Sequence, residues 1–218
     1  MSFGKLKEYL PYQGEKYIKP EKAGNYCQYM MDLRDLARQA RDEFSLISKS
    51  FEDRVKPFKA ERVSQWMNQS QLCRPHFWCY FRLPSDGLDD PTLAIRLYGE
   101  PDNFGISVEV SFVERRRSEN SLEKQNKVLN LLPFGAMYYF VQKNGISFKM
   151  DATEENRKNL LKQVKSGEVR KVLVKQDIPI ETDHSLERLI DDLLKSFDEL
   201  LPFYKETKKF SLWLALFQ

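Results

Sequence analysis

Residues 76–83 (HFWCYFRL), 92–98 (TLAIRLY) and 104–112 (FGISVEVSF) follow one another closely, and their common period of two decides the fold. Alternate side chains of an extended chain point to opposite faces. In the first run Phe77, Cys79, Phe81 and Leu83 share one face, and Trp78, Tyr80 and Arg82 the other. In the second run Leu93, Ile95 and Leu97 alternate in the same way. In the third, Ile106, Val108, Val110 and Phe112 alternate with Ser107, Glu109 and Ser111, the pattern of a half-buried strand. Pro84-Ser85-Asp86-Gly87 and Gly99-Glu100-Pro101-Asp102-Asn103 supply turn chemistry between the runs. Connections this short join antiparallel neighbours.

Downstream, a helix carries Leu122, Val128, Leu129 and Leu132, and Asn120 with Glu123 has the spacing of a capping box. Apolar runs at 137–141 and 146–150 flank Lys143-Asn144-Gly145. Asn-Gly in that setting predicts a hairpin, because both residues tolerate positive φ. Residues 153–165 read as a helix closed by Gly167, and 169–174 as a strand. The spacing of Leu186, Leu189, Ile190, Leu193, Phe197 and Leu200 predicts a long helix over 183–204, with Thr182 or Asp183 as its cap.

Upstream, Met30, Leu33, Ala37, Ala40, Phe44 and Ile47 recur at three and four, so a helix is expected over 25–54 with Asn25 as N-cap. Pro57 limits it, and a short helix over 60–68 is expected to follow. Residues 1–24 read as an irregular N-terminal arm, punctuated by Pro11, Gly14, Pro20 and Gly24. Residues 207–218 read as an apolar tail. Strands and helices do not alternate along the chain, so the expected class is α+β: a mostly antiparallel sheet with helices packed on one face.

The chain has 218 residues, a length that suits a single domain over 1–218. A chain this long buries roughly 70% of its unfolded surface, so it needs no disulfide or metal to fold. Hydrophobic residues make up 41% and charged residues 31%, a globular mix. Lys and Arg number 35 against 32 Asp and Glu, a net charge of +3, well short of the excess dedicated nucleic-acid binders carry. Three cysteines, Cys27, Cys73 and Cys79, with charges rather than an apolar core near the N-terminus, predict reduced thiols and a cytoplasmic protein. No apolar run reaches the roughly 20 residues of a membrane helix, so no membrane partner is expected.

Three strings, His76-Phe-Trp-Cys-Tyr-Phe-Arg-Leu-Pro, Ile95-Arg-Leu-Tyr-Gly-Glu-Pro and Phe104-Gly-Ile-Ser-Val-Glu-Val-Ser-Phe, resemble a small family of uncharacterised bacterial proteins. Some of its members are labelled glucose-6-phosphate 1-dehydrogenase. The resemblance covers most of the chain up to about Tyr204, and it brings no catalytic residue with it. The residues themselves do not support that label. A dinucleotide site of the Rossmann type needs glycines at a strand-to-helix turn, where backbone meets pyrophosphate. None of the nine glycines forms G-x-G-x-x-G, and Gly99 and Gly105 lie between antiparallel strands. No cofactor is expected.

Other chemistries have fragments of a signature. Cys73, His76 and Cys79 are three ligand types within seven residues, with Cys27 or His184 as a distant fourth. On a strand, however, residues three apart face opposite ways, so buried free thiols are expected and no metal. Cys73 beside His76 has the residue types of a nucleophile and its base, yet a turn residue and a strand-end residue account for the pair. Asp102 and Glu109 are spaced like the two acids of a metal-dependent nuclease, but the lysine that completes that pattern is missing. No catalytic residue is nominated.

The sharpest charge feature is Arg115-Arg116-Arg117, between a strand and a helix start. Guanidinium forks suit phosphate oxygens. With Trp78, Tyr80, Arg82 and Arg96 these arginines make a basic, aromatic sheet face for an anionic ligand, single-stranded nucleic acid or a protein partner. The competing reading packs the aromatics beneath a helix and pairs the arginines with Glu114 or Glu119. The tail residues Leu212, Trp213, Leu214, Leu216 and Phe217 are a second candidate contact, for a homodimer or another protein. The expected function is therefore a non-enzymatic binding or accessory module, with an enzyme of dispersed active-site residues or a self-association module as alternatives.

Overall fold

A computed structural model describes residues 3–181 and 184–209. Among these, the helices are α1 (Gly4–Tyr9), α2 (Cys27–Arg54), α3 (Glu119–Asn126), α4 (Glu154–Lys165) and α5 (Leu186–Lys208). The strands are β1 (Lys59–Ala60), β2 (Trp78–Arg82), β3 (Thr92–Glu100), β4 (Asn103–Ser111), β5 (Tyr138–Lys143), β6 (Ile146–Asp151) and β7 (Val169–Pro179). The strands form a seven-stranded antiparallel sheet in the order β1-β2-β3-β4-β7-β5-β6, and the protein is α+β. No described helix is long and apolar enough to cross a membrane. The expected cap residues Thr182 and Asp183 and the apolar residues from Leu212 to Phe217 lie outside the described residues.

The chain divides into two compact units: 1–84, 94–108 and 177–195 in the first, and 85–93, 109–176 and 196–218 in the second. In the first unit α2 buries Met30, Leu33, Ala37, Ala40, Phe44, Ile47 and Phe51, the stripe its spacing predicts. Against it lies the inward face of β2: Phe77, Cys79 and Phe81 are all fully buried. Phe51 meets Phe81 edge-on at 5.0 Å, and Phe44 lies 5.9 Å from Phe77. Each such ring contributes about 1.5–3 kcal/mol by leaving water.

The N-terminal stretch differs from its irregular reading. Phe3, Leu6, Tyr9 and Leu10 are buried, and α1 forms around them. Tyr9 stacks on Phe77 at 5.2 Å and donates its hydroxyl to the Trp66 carbonyl at 2.7 Å. Their spacing of three and four is helical; the prolines and glycines that follow obscured it. Asn25 does not cap α2, which follows a 3₁₀ turn over Gly24–Tyr26 with no side-chain cap bond. The short helix expected over 60–68 is also absent. There β1 pairs with β2, and the amides of Glu61 and Ser64 donate to the carbonyls of Tyr80 and Trp78 at 2.7 and 3.0 Å. Long-range pairing along β2 outweighs local helix propensity.

Gly99 and Gly105 are packing residues. At Gly99 φ is +91°, and a Cβ would sit 2.1 Å from the Asn103 carbonyl oxygen. At Gly105 a Cβ would come within 2.1 Å of the Ile178 carbonyl oxygen and 2.6 Å of the Tyr98 hydroxyl.

In the second unit Asn144 (φ 52°) and Gly145 (φ 79°) turn the β5–β6 hairpin, as expected. α4 begins one residue later than expected, with Thr153 as its N-cap: the Thr153 hydroxyl accepts from the Asn156 amide at 3.1 Å, and Gly167 follows the helix end at φ +79°. α3 differs. Its N-cap is Ser118, and the box closes on Ser121 rather than running from Asn120 to Glu123. The helix stops at Asn126, and Val128 and Leu129 are buried from a 3₁₀ turn instead. What α3 itself buries is polar: Ser121 and Gln125. The Gln125 amide nitrogen donates to the carbonyls of Val110 and Val172, both at 3.0 Å.

The half-buried reading of 104–112 is corrected: Ser107 and Glu109 are fully buried and Ser111 nearly so. Both faces of β4 are covered, since every residue after Asn103 is buried. Glu109 is accommodated by Lys175 of β7, at 3.0 Å and itself buried.

Candidate functional site

Because Phe77, Cys79 and Phe81 face α2, β2 turns Trp78, Tyr80 and Arg82 the other way. Their fates differ. Tyr80 and Arg82 are buried. The Arg82 guanidinium donates Nε–H to Glu61 at 3.0 Å, so its charge is spent internally. Trp78 is half-buried, its amide donating to the Ser64 hydroxyl at 3.2 Å. The Arg96 guanidinium carbon lies 5.2 Å from the Trp78 ring centroid. A second guanidinium, that of Arg74, lies 4.9 Å from the same centroid. Arg74 belongs to the loop before β2, and its Nε–H donates to the Met67 carbonyl at 3.2 Å. Arg74 and Arg96 are both half-buried. The first unit thus holds an indole with two cations within about 5–6 Å of its ring centre, the range of cation–π attraction. Guanidinium groups gathered around one aromatic concentrate positive charge of the kind that suits an anion.

The structure brings Trp78 and Arg96 together, adds Arg74, and sets Tyr80 and Arg82 into the interior. Loop arginines have no period, so alternation could not place Arg74; its only local signal is the pair Arg74-Pro75 just before an aromatic strand. Arg115, Arg116 and Arg117 fall in the second unit, on and just after a 3₁₀ turn over Glu114–Arg116. Arg115 and Arg117 are exposed and Arg116 is half-buried. Their neighbour Glu114 is held elsewhere, by Arg170 at 2.9 and 3.0 Å and Lys171 at 2.6 Å. The Arg170 hydrogen bonds, then Lys171, hold its carboxyl down at about 2.

Nucleophilic chemistry at Cys73 and Cys79 is disfavoured. Burial pushes the Cys73 thiol up to about 11 and the Cys79 thiol up to about 12, so little thiolate exists near neutrality. Glu109 is enclosed with Lys175, whereas Asp102 is fully exposed. The first unit also has a cleft of about 480 Å³ lined by Phe3, Lys7, Asp102, Phe104, Glu181 and His184. Its histidine is engaged at both nitrogens. Nδ1 accepts from the Glu181 amide at 3.0 Å, which leaves Nε2 to donate to Asp192 at 3.2 Å. Neither nitrogen is poised to take a substrate proton.

No family model matches the chain, and no curated protein matches it. A conserved hypothetical protein from Pyrococcus furiosus is similar in structure, at 11% identity and a TM-score of 0.36, over 74% of this chain and 90% of that one.

Proposed function

We propose that this protein is a binding or accessory module for an anionic ligand, and that the first unit holds the anion at Arg74 and Arg96 beside Trp78. The observation that carries this reading is the pair of guanidiniums 4.9 and 5.2 Å from one half-buried indole. Such a cluster gathers positive charge around an aromatic plane, as sites for the phosphates and bases of single-stranded nucleic acid do. Arg115 to Arg117 offer a separate basic patch on the second unit. The three free cysteines, two of them buried, suit work in the reducing cytoplasm.

The test is electrophoretic mobility of a short single-stranded oligonucleotide with the full chain, at low and high salt. The wild type is expected to retard the oligonucleotide, and the shift is expected to weaken steeply with salt. Arg96→Ala and Arg74→Ala are each expected to weaken binding about tenfold or more, the loss of a charge-assisted contact. The triple change of Arg115, Arg116 and Arg117 to alanine separates the patches: a larger effect there than at Arg74 or Arg96 moves the site to the second unit. No retardation even at low salt sinks the nucleic-acid reading.

A further inference from the structure

Two hydrogen-bonding atoms inside the second unit have no partner within the protein: Gln125 Oε1 and the Tyr139 hydroxyl. Buried polar atoms are nearly always satisfied, so each calls for an explanation. Gln125, near the end of α3, is fully buried. Its amide nitrogen spends its hydrogens on the carbonyls of Val110 in β4 and Val172 in β7, both at 3.0 Å. Turning the amide over would set its oxygen against those two carbonyl oxygens, so the oxygen is the atom that points away from them.

Tyr139 is a fully buried residue of β5. A buried tyrosine hydroxyl ordinarily has a partner. Burial raises this hydroxyl above its ordinary value, so it keeps its proton and can donate. The fold brings it to the same place as Gln125. Tyr139 pairs with Val174 of β7, and Val141 pairs with Val172, whose carbonyl Gln125 holds. Residues two apart on a strand share a face, and all four of these are fully buried. The roof is common as well. Leu129 follows Gln125 by four residues, and its carbonyl accepts from Arg157 of α4 at 2.9 Å. The charge of that same Arg157 acts on the Tyr139 hydroxyl. Yet the hydroxyl and the amide oxygen make no direct bond.

We propose that the second unit holds one buried water between Gln125 Oε1 and the Tyr139 hydroxyl. The water accepts the hydroxyl hydrogen and donates one of its own to the amide oxygen. Buried waters make two to four such bonds, always to polar groups the protein leaves unsatisfied. The two groups are complementary, since an amide oxygen only accepts and a tyrosine hydroxyl can donate. A larger ligand is not called for, because neither residue opens to solvent. The water ties α3 to β5 across β7, a link that neither strand alternation nor helix periodicity displays.

A crystal structure of the full chain at high resolution is the direct test. It is expected to show one water within hydrogen-bond distance of both atoms. Urea unfolding gives a second readout. Tyr139→Phe removes the hydroxyl alone and is expected to lower the folding equilibrium constant about fivefold, the worth of an ordinary hydrogen bond. In a Gln125→Met background the same change is expected to cost less than about twofold, because the water has already lost its other anchor. Density without a water there overturns the proposal, as does a direct bond from Tyr139 Oη to Gln125 Oε1 or to any other protein atom. An equal effect of Tyr139→Phe in both backgrounds overturns it too. If Gln125→Met does not fold, the density decides alone.

Discussion

Glu109 and Lys175 sit side by side in the second unit, 3.0 Å apart, with almost no exposure to water. The Lys175 ammonium also lies 5.0 Å from the Phe140 ring centre. Two charges removed from water lose several kcal/mol of hydration each and recover it only from each other and their neighbours. Such a pair is costly to break and cheap to replace. Glu109→Gln leaves the buried ammonium without its counter-charge and is expected to cost about 3–5 kcal/mol. Glu109→Leu with Lys175→Met removes both charges and is expected to recover most of that loss. Urea unfolding of the single and double variants measures both. A cost below about 1 kcal/mol for Glu109→Gln would show that the carboxylate is not needed where it lies.

α3 illustrates how an element's boundary is set by side chains that periodicity does not see. Its start is fixed by Ser118 and Ser121, the latter hydroxyl accepting from the Ser118 amide at 2.9 Å and donating to the Asp89 carbonyl at 2.8 Å. Ser118→Ala is expected to lose about 1 kcal/mol, and Asn120→Ala, at the residue first nominated as cap, a few tenths at most; thermal melts of the two variants compare them. Asn120 with Glu123 has the right spacing, but Ser118 with Ser121 has it as well, and only the Asp89 carbonyl from another loop decides between them. Elements whose signals are local were legible: the Asn144-Gly145 turn, the Gly167 end of α4 and the α2 stripe. Those set by distant partners were not. β1 exists because β2 needs an edge partner, and Arg82 is spent because Glu61, 21 positions away, reaches it. The candidate site divides along the same line. Alternation places the strand residues Trp78 and Arg96, whereas Arg74 comes from a loop and Tyr80 is buried by surroundings that its own strand does not reveal.

At the scale of the whole molecule the carboxylates divide unevenly between the units, and acid is expected to act on them differently. In the second unit Glu114 and Glu154 are held at about 2, through hydrogen bonds from Arg170 and Arg157 respectively. Burial opposes ionisation at Asp90, but Lys124 and Lys208 outweigh it and hold that carboxyl below its ordinary value. Burial likewise opposes ionisation at Glu206, where Lys209 and Asn130 prevail. A carboxyl whose folded value is depressed stabilises the fold above its unfolded value, and that contribution drains away as pH falls through the folded value, about 2 for Glu114 and Glu154. Most of these groups are partly exposed, so each contribution is modest and salt-screened, but all share one sign. In the first unit Glu43 has the opposite sign. Burial raises its carboxyl above the ordinary value, against the hydrogen bond it accepts from the Leu6 amide at 3.0 Å. Its contribution is complete in acid and lost as pH rises through the folded value. Amide hydrogen exchange, corrected for intrinsic rates and compared between about pH 7 and about pH 3, reads the two units separately. Protection is expected to fall first across 109–176, while α2 and β2 keep theirs. Loss of protection in α2 before β5 and β7 would reverse the assignment and place the acid-labile interactions around the helix that carries Glu43.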